Sequence, residues 1–151
     1  MRYAIDHERD GERESVVSLI DDASAECARI SGAPFVTPSA RLEAENDVLV
    51  ARTEGGIPGA CPIHGVVVVR SRPGGESPEL AVLYVCPEHR RGGLGDSLLS
   101  EAVRLFGSSG MWAVVHSANM EAMDLFGRHG FVQGAPPRPG SRYRVWTRPG
   151  A

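Results

Sequence analysis

The stretch from Glu79 to Phe106 constrains the chain most. ELAVLYV, residues 79–85, is apolar nearly throughout, as expected of a central strand buried on both faces. RRGGLG, residues 90–95, follows with two arginines and three glycines. Leu94, Leu98, Val103 and Phe106 then lie along one helical face, ending near Gly107–Gly110. This order puts the first amides of a helix at the end of a buried strand. Those amides lack partners within the helix and sit at the positive end of its dipole. Glycines remove side chains that would hold a phosphate away, and arginines add charge and forked donors. The junction therefore reads as an anion cradle. The plainer reading is a glycine-rich turn with solvated arginines. A Walker loop is excluded because the chain has no lysine. The run G-G-L-G after a meander also fits the dinucleotide fingerprint poorly.

The rest of the chain supplies a sheet. Tyr3–His7 reads as a short first strand. Val16, Ile20, Ala23, Cys27 and Ile30 mark one face of a helix stopped by Gly32 and Pro34. Thr37-Pro38 looks like the start of a second short helix through about Glu45. Asp47–Arg52, Ile57–Ser71, Trp112–Ser117, Phe131–Gln133 and Ser141–Thr147 read as strands, with Pro58 and Pro62 implying an edge or a bulge. Met120–His129 reads as a helix closed by Gly130. The order β-α-α-β-β-β-α-β-α-β-β describes an α+β fold: a mixed, mostly antiparallel sheet of about seven strands with four helices. Strands two to four form an antiparallel meander, and the later strand–helix–strand unit favours one parallel pairing.

The length of 151 residues suits one domain over 1–151. No apolar run approaches the ~20 residues that span a bilayer, and MRYAIDHERD lacks the apolar stretch of a secretory signal. The expected location is cytoplasmic, with no membrane partner. Cys27, Cys61 and Cys86 are odd in number and lack metal-ligand spacing, so reduced thiols and no metal are expected. Net charge is −3, unevenly spread: residues 1–60 carry twelve acids and six arginines (−6), residues 61–151 seven acids and ten arginines (+3). The plain reading, and the one composition favours, is a high-GC genome rich in arginine and acidic codons; the functional reading is a cationic partner on one face and an anionic one on another. Net acidity argues against nucleic acid as the main ligand.

Spacing sharpens the cradle. Arg90-x-x-Gly93-x-Gly95 resembles the Q/R-x-x-G-x-G/A signature of the GNAT superfamily of acyl-CoA-dependent N-acyltransferases. Val85-Cys86-Pro87-Glu88-His89-Arg90 is similar to that family's V-x-P-x-x-R lead-in. A second block agrees: Asn119, Ala122, Phe126, Gly130 and Phe131 resemble the family's N-x-x-A-x-x-x-Y-x-x-x-G-F pattern, with phenylalanine at the tyrosine position. The turn ending Ile57-Pro58-Gly59 is like the family's second hairpin, and the resemblance covers nearly the whole chain.

The resemblance implies acetyl-CoA, or another acyl-CoA, as cosubstrate. Arg90 and the amides of Arg91, Gly92, Gly93, Leu94, Gly95 and Asp96 would hold its pyrophosphate. The fourth and fifth strands would splay, and backbone groups around Leu83 and Val85 would pair with the pantetheine arm. The Val85 amide would polarise the thioester carbonyl, and Asn119 would sit beside the pantetheine. Asp96 departs from the family; a carboxylate repels phosphate and is expected to turn away. Phe126 departs more sharply. Where family members often use tyrosine to protonate the leaving thiolate, it keeps the ring and loses the proton. The chain then needs no general acid, takes one from elsewhere, or binds acyl-CoA with little turnover. Tyr84 is the neighbouring candidate, on the face opposite Leu83 and Val85.

Two residues are candidates for the base that an attacking amine requires. Glu79 lies eleven residues before Arg90, where histone-type members carry a glutamate base. His116 lies three residues before Asn119 and shares a strand face with Val114, where some N-terminal-amine acetyltransferases carry an acid. His64 and His129 read as surface or packing residues. By resemblance the acceptor pocket is built from residues 28–45 and 135–141. The acidic first third suits a cationic amine such as a polyamine, an aminoglycoside-like compound or a peptide amine. A hydroxyl acceptor, a longer acyl group or a non-catalytic acyl-CoA-binding module are the alternatives. The β-rich segment Arg142–Thr147 could pair two copies into a homodimer.

Overall fold

The computed structural model describes residues 3–32, 46–53, 63–71, 74 and 76–150. In chain order the elements are β1 (Tyr3–His7), α1 (Arg13–Ser31), β2 (Asn46–Thr53), β3 (Ile63–Arg70), β4 (Glu79–Val85), α2 (Leu94–Phe106), β5 (Met111–His116), α3 (Met120–Arg128), β6 (Val132–Gln133) and β7 (Tyr143–Arg148). A single 3-10 turn, Pro87–His89, joins β4 to the glycine stretch. The helix expected at 37–45, the turn at 57–59 and the first half of the strand expected from Ile57 lie outside the described residues. Among those described there are three α-helices. Cys61 also lies outside them, and Cys27 and Cys86 are free thiols.

The seven strands form one sheet in the order β1-β2-β3-β4-β5-β7-β6. Every pairing is antiparallel except that of β4 with β5. The valine runs explain the centre. In β2 and β3, Val48, Val50, Val66 and Val68 pack against Val16, Leu19, Ile20 and Ala23 of α1. The alternate residues Leu49, Ala51, Val67 and Val69 pack against Leu98, Leu99 and Ala102 of α2. Both faces are thus covered, and β-branched side chains fill the pleat on each. Gly65 in β3 lets α2 approach closely, since a Cβ there would lie 2.8 Å from Leu98 Cδ1.

The strand β4 carries a bulge. Val68 pairs with Val82, but Val69 pairs with Leu80, leaving Ala81 as the extra residue. Strict alternation would put Leu80 and Val82 on one face. Instead Leu80 joins the α2 side, while Val82 and Tyr84 join the α1 side. Leu83 and Val85 face α2 and Tyr84 faces α1, as alternation beyond the bulge requires.

The strand β7 is interior to the sheet. β5 takes one edge along Tyr143–Arg148, and β6 with the backbone of residues 134–135 takes the other from Val145 onward. The segment Arg142–Thr147 therefore lies mostly inside the sheet.

One buried ion pair anchors the start of α1. Glu12, its N-cap, receives two hydrogen bonds from Arg52 of β2, at 2.6 and 2.7 Å, and one from the Arg9 amide at 2.6 Å. Arg52 is only 2% exposed and also donates to the His7 carbonyl at 2.7 Å. The Arg52 bonds hold the Glu12 carboxyl below the ordinary glutamate range, against the opposing effect of burial. A lowered folded-state pKa contributes stability that is complete above the unfolded value, near 4.5, and lost as pH falls through the folded one. Glu12→Gln is expected to cost about 3 kcal/mol in urea unfolding at neutral pH, because it removes the counter-charge of a buried guanidinium. The deficit relative to wild type should shrink on acidification. A loss below about 0.5 kcal/mol would mark the pair as no better than a surface one.

Candidate active site

Parallel pairing between β4 and β5 is limited to one register, Glu79 with Trp112. Beyond it the strands separate. The Cys86 amide donates to the His64 carbonyl on β3 at 2.8 Å, so the even-numbered residues after the bulge direct their backbone groups at β3. Alternation then turns the amides and carbonyls of Leu83 and Val85 toward the gap. A cleft of about 1080 Å³ opens there, lined by Leu83, Val85, Arg91, Gly93, His116 and Asn119 among others. Leu94, Gly95, Asp96, Glu79 and Phe126 border it as well.

At the cleft's upper end the chain turns into α2. Gly93 caps the helix with φ +81°, in the left-handed region. Arg91 also has a positive φ, 73°. Gly92 has no such backbone requirement, and a Cβ on it would meet nothing within 4 Å. Among the described residues neither strain nor packing demands a glycine at that position. A ligand approaching the backbone would.

The two signature arginines differ. Both terminal nitrogens of Arg90 bond Glu26 of α1 at 2.7 Å, and its Nε donates to the Val85 carbonyl at 2.9 Å. Its guanidinium also sits 5.3 Å from the Tyr84 ring centroid. The Glu26 bonds raise its pKa further. Arg90 is thus a strut from the end of β4 to α1. Arg91 is exposed and has no ion pair among the described residues. The turn below is braced by His64 stacked on His89, with ring centroids 3.8 Å apart, and by the Tyr3 hydroxyl on His89 Nδ1 at 2.7 Å. Burial, and then His89, push the His64 pKa down. His64 is a packing residue.

Asp96 turns its carboxylate to α3. It meets His129 Nε2 at 2.9 Å and Arg128 at 3.2 Å. The His129 bond, and then Arg128, depress its pKa. Asn119 caps α3: its Oδ1 accepts from the Ala122 amide at 3.1 Å. Phe126 is buried in the core, edge-on to Phe131 with centroids 5.0 Å apart.

The two candidate bases sit at different heights. Glu79 lies at the paired end of the gap, bonded by Arg70 of β3 at 2.9 Å. His116 ends β5, four residues beyond Trp112, and is therefore roughly 13 Å along the strand. It is 9% exposed, edge-on to Tyr143 with centroids 4.9 Å apart, and its Nδ1 accepts from the Ala118 amide at 3.0 Å. Glu26, Arg70, Tyr143 and the Ala118 amide were not singled out from sequence. Each meets its partner through the folded sheet or turn. Of the expected acceptor region, residues 33–45 lie outside the described set. Among the described residues no group of three metal-ligating side chains comes together, and no helix is long and apolar enough to cross a membrane.

The family model for the acetyltransferase (GNAT) domain matches residues 44–133, more than half of the chain. The chain belongs to the GNAT acetyltransferase family. The GNAT fold recurs in solved structures along almost the full length. PaiA N-acetyltransferase from Thermoplasma acidophilum, in complex with coenzyme A, superposes with a TM-score of 0.74 over 99% of both chains at 13% identity. The ribosomal-protein-S18-alanine N-acetyltransferase of Escherichia coli has a TM-score of 0.69 over 97% of this chain and 91% of its own, at 15% identity. NAA60 of Arabidopsis thaliana, in complex with a bisubstrate analogue, has a TM-score of 0.64 over 97% and 98%, also at 15% identity. At such identities the likeness to these GNAT structures establishes the fold alone. No curated protein matches the sequence significantly.

The Asp96 contacts carry a direct test. Its carboxyl should titrate below the ordinary aspartate value of 3.8 in a carbon-detected NMR titration. His129→Ala should move it upward, because the largest lowering contact is removed. An unchanged Asp96 in that variant would contradict the assignment.

Proposed function

We propose that this GNAT-family protein transfers the acetyl group of acetyl-CoA to a primary amine of a small molecule or peptide, by direct attack in a ternary complex. Family membership makes acetyl-CoA the cosubstrate. The observation that carries the reading is the continuity of the cleft: the strand edge that turns the Leu83 and Val85 amides toward the gap runs up to the start of α2. An extended amide-bearing arm suits a strand edge, and a pyrophosphate suits amides at a helix start. Residues 1–151 act as one catalytic domain in this proposal.

In this proposal each site residue takes a role that its position supports. The amides of Arg91 to Asp96 hold the pyrophosphate, with the Arg91 side chain as the mobile cation. Arg90 positions the end of β4 rather than contacting phosphate. Asn119 flanks the pantetheine arm while capping α3. Phe126 supplies a wall and no proton; the thiolate of CoA leaves unassisted by a tyrosine. The proton of the attacking amine leaves through water toward Glu79, the carboxylate at the paired end of the gap. Of the carboxylates that border the cleft, Glu26, Glu79 and Asp124 are paired with arginines, and Glu121, with no ion pair among the described residues, favours a cationic acceptor.

Thiol release from acetyl-CoA, assayed against polyamines, aminoglycosides, amino acids and short peptides, should rise with one amine class. Thermal stabilisation by acetyl-CoA without release by any amine would favour the non-catalytic module suggested by Phe126. Gly92→Val should raise the KM for acetyl-CoA at least about tenfold by crowding the cradle, with the ligand-free Tm unchanged. An unaltered KM would remove the 91–96 backbone from the binding site.

A further inference from the structure

We infer that His116 is a fixed hydrogen-bond donor to the reacting thioester carbonyl and not the base that deprotonates the amine. The inference rests on the acetyl-transfer reading above. It starts from a backbone contact. The Ala118 amide donates to His116 Nδ1 at 3.0 Å. A backbone N–H requires a lone pair, so Nδ1 is unprotonated while that bond stands. The neutral ring then carries its proton on Nε2. Such a ring has no free lone pair: Nδ1 is occupied and Nε2 is already protonated.

The contact is held in place. The turn after β5 is closed by the Asn119 amide on the His116 carbonyl at 2.9 Å. Asn119 in turn starts α3. On the ring's flank Tyr143 packs edge-on. Rotating the ring to free Nδ1 would orphan the Ala118 amide and break that packing. Nε2 bonds no described residue, and His116 lines the cleft.

Its height decides what the donor meets. Glu79 and Trp112 are paired. His116 is four residues beyond Trp112, and with Ala81 as an extra residue on β4 that height falls between Leu83 and Val85 on the other side of the gap. A carbonyl at this level lies between a β4 amide on one wall and His116 Nε2–H on the other. Two donors from opposite walls make an oxyanion hole, with a neutral imidazole as one of them.

The step balances as follows. The amine lone pair forms the C–N bond, and the carbonyl π pair moves onto oxygen, where both donors hold it. The ammonium loses its proton through water toward Glu79, the acceptor proposed above. The oxygen pair then re-forms C=O, the C–S bond breaks, and sulfur leaves with its electrons as CoA thiolate. His116 keeps its proton throughout.

Replacement by glutamine separates the donor from the base, because its amide N–H₂ stands near the place of Nε2–H and carries no basic nitrogen. His116→Ala and His116→Asn should lower kcat about 100-fold, as loss of one oxyanion donor does, with the KM for acetyl-CoA nearly unchanged. His116→Gln should stay within about tenfold of wild type. Glutamine as slow as alanine, or alanine as fast as wild type, overturns the inference. ¹⁵N NMR of the wild-type ring covers the case of a variant that misfolds. A protonated Nε2 with a bare Nδ1 is expected at neutral pH, and the opposite tautomer contradicts it. Wild-type protein that releases no thiol with any amine refutes the acetyl-transfer reading itself. Turnover with an inert glutamine variant refutes only the role of His116.

Discussion

The structure depends on the fact that β4 and β5 cannot remain paired. A parallel ladder needs both backbones in step, and here it holds only at Glu79 and Trp112. The bulge at Ala81 re-aims β4, and Arg90 then pins the strand's end to α1 through Glu26 and the Val85 carbonyl. On the other side, β5 is held along its length by β7. Each strand is thus committed to a different neighbour. An unpaired edge inside a sheet is costly unless water or a ligand satisfies it. The cleft is where that cost is kept.

Charge is distributed to serve the same gap. Arg52, Arg70, Arg90 and Arg128 each face a carboxylate, on Glu12, Glu79, Glu26 and Asp96 respectively. Arg91, with its left-handed backbone, stands beside Gly92 and Gly93 without such a partner among the described residues. Structural cations are therefore neutralised locally, while Arg91 at the helix start keeps its charge without an ion pair among the described residues. The Asp96 carboxylate would oppose a phosphate, but His129 and Arg128 draw it to α3.

Much of this was legible in sequence because its signals are local. ELAVLYV has the bounds of β4, YAIDH those of β1, and Gly93 marks the start of α2. The parallel pairing of β4 with β5 followed from the intervening helix. The bulge at Ala81 was not legible, since a uniformly apolar strand has no pattern for an extra residue to break. The signature spacing marks Arg90 as a ligand contact but carries no sign of its bond to Glu26, which lies 64 positions away. From sequence His116 is one of two candidate bases, by its residue type, its place before Asn119 and the strand face it shares with Val114. The Ala118 amide that takes its Nδ1 belongs to a turn that the side-chain pattern does not encode.

Amide hydrogen exchange at Leu83 and Val85, with and without acetyl-CoA, tests the central claim most directly. If the edge facing β5 is the binding strand, acetyl-CoA should slow exchange at these two amides together with those of residues 91–96, and leave the β3-facing amide of Cys86 as it was. Protection confined to the helix start, with Leu83 and Val85 unchanged, would contradict the account: the gap between β4 and β5 would then not be where the acyl donor lies.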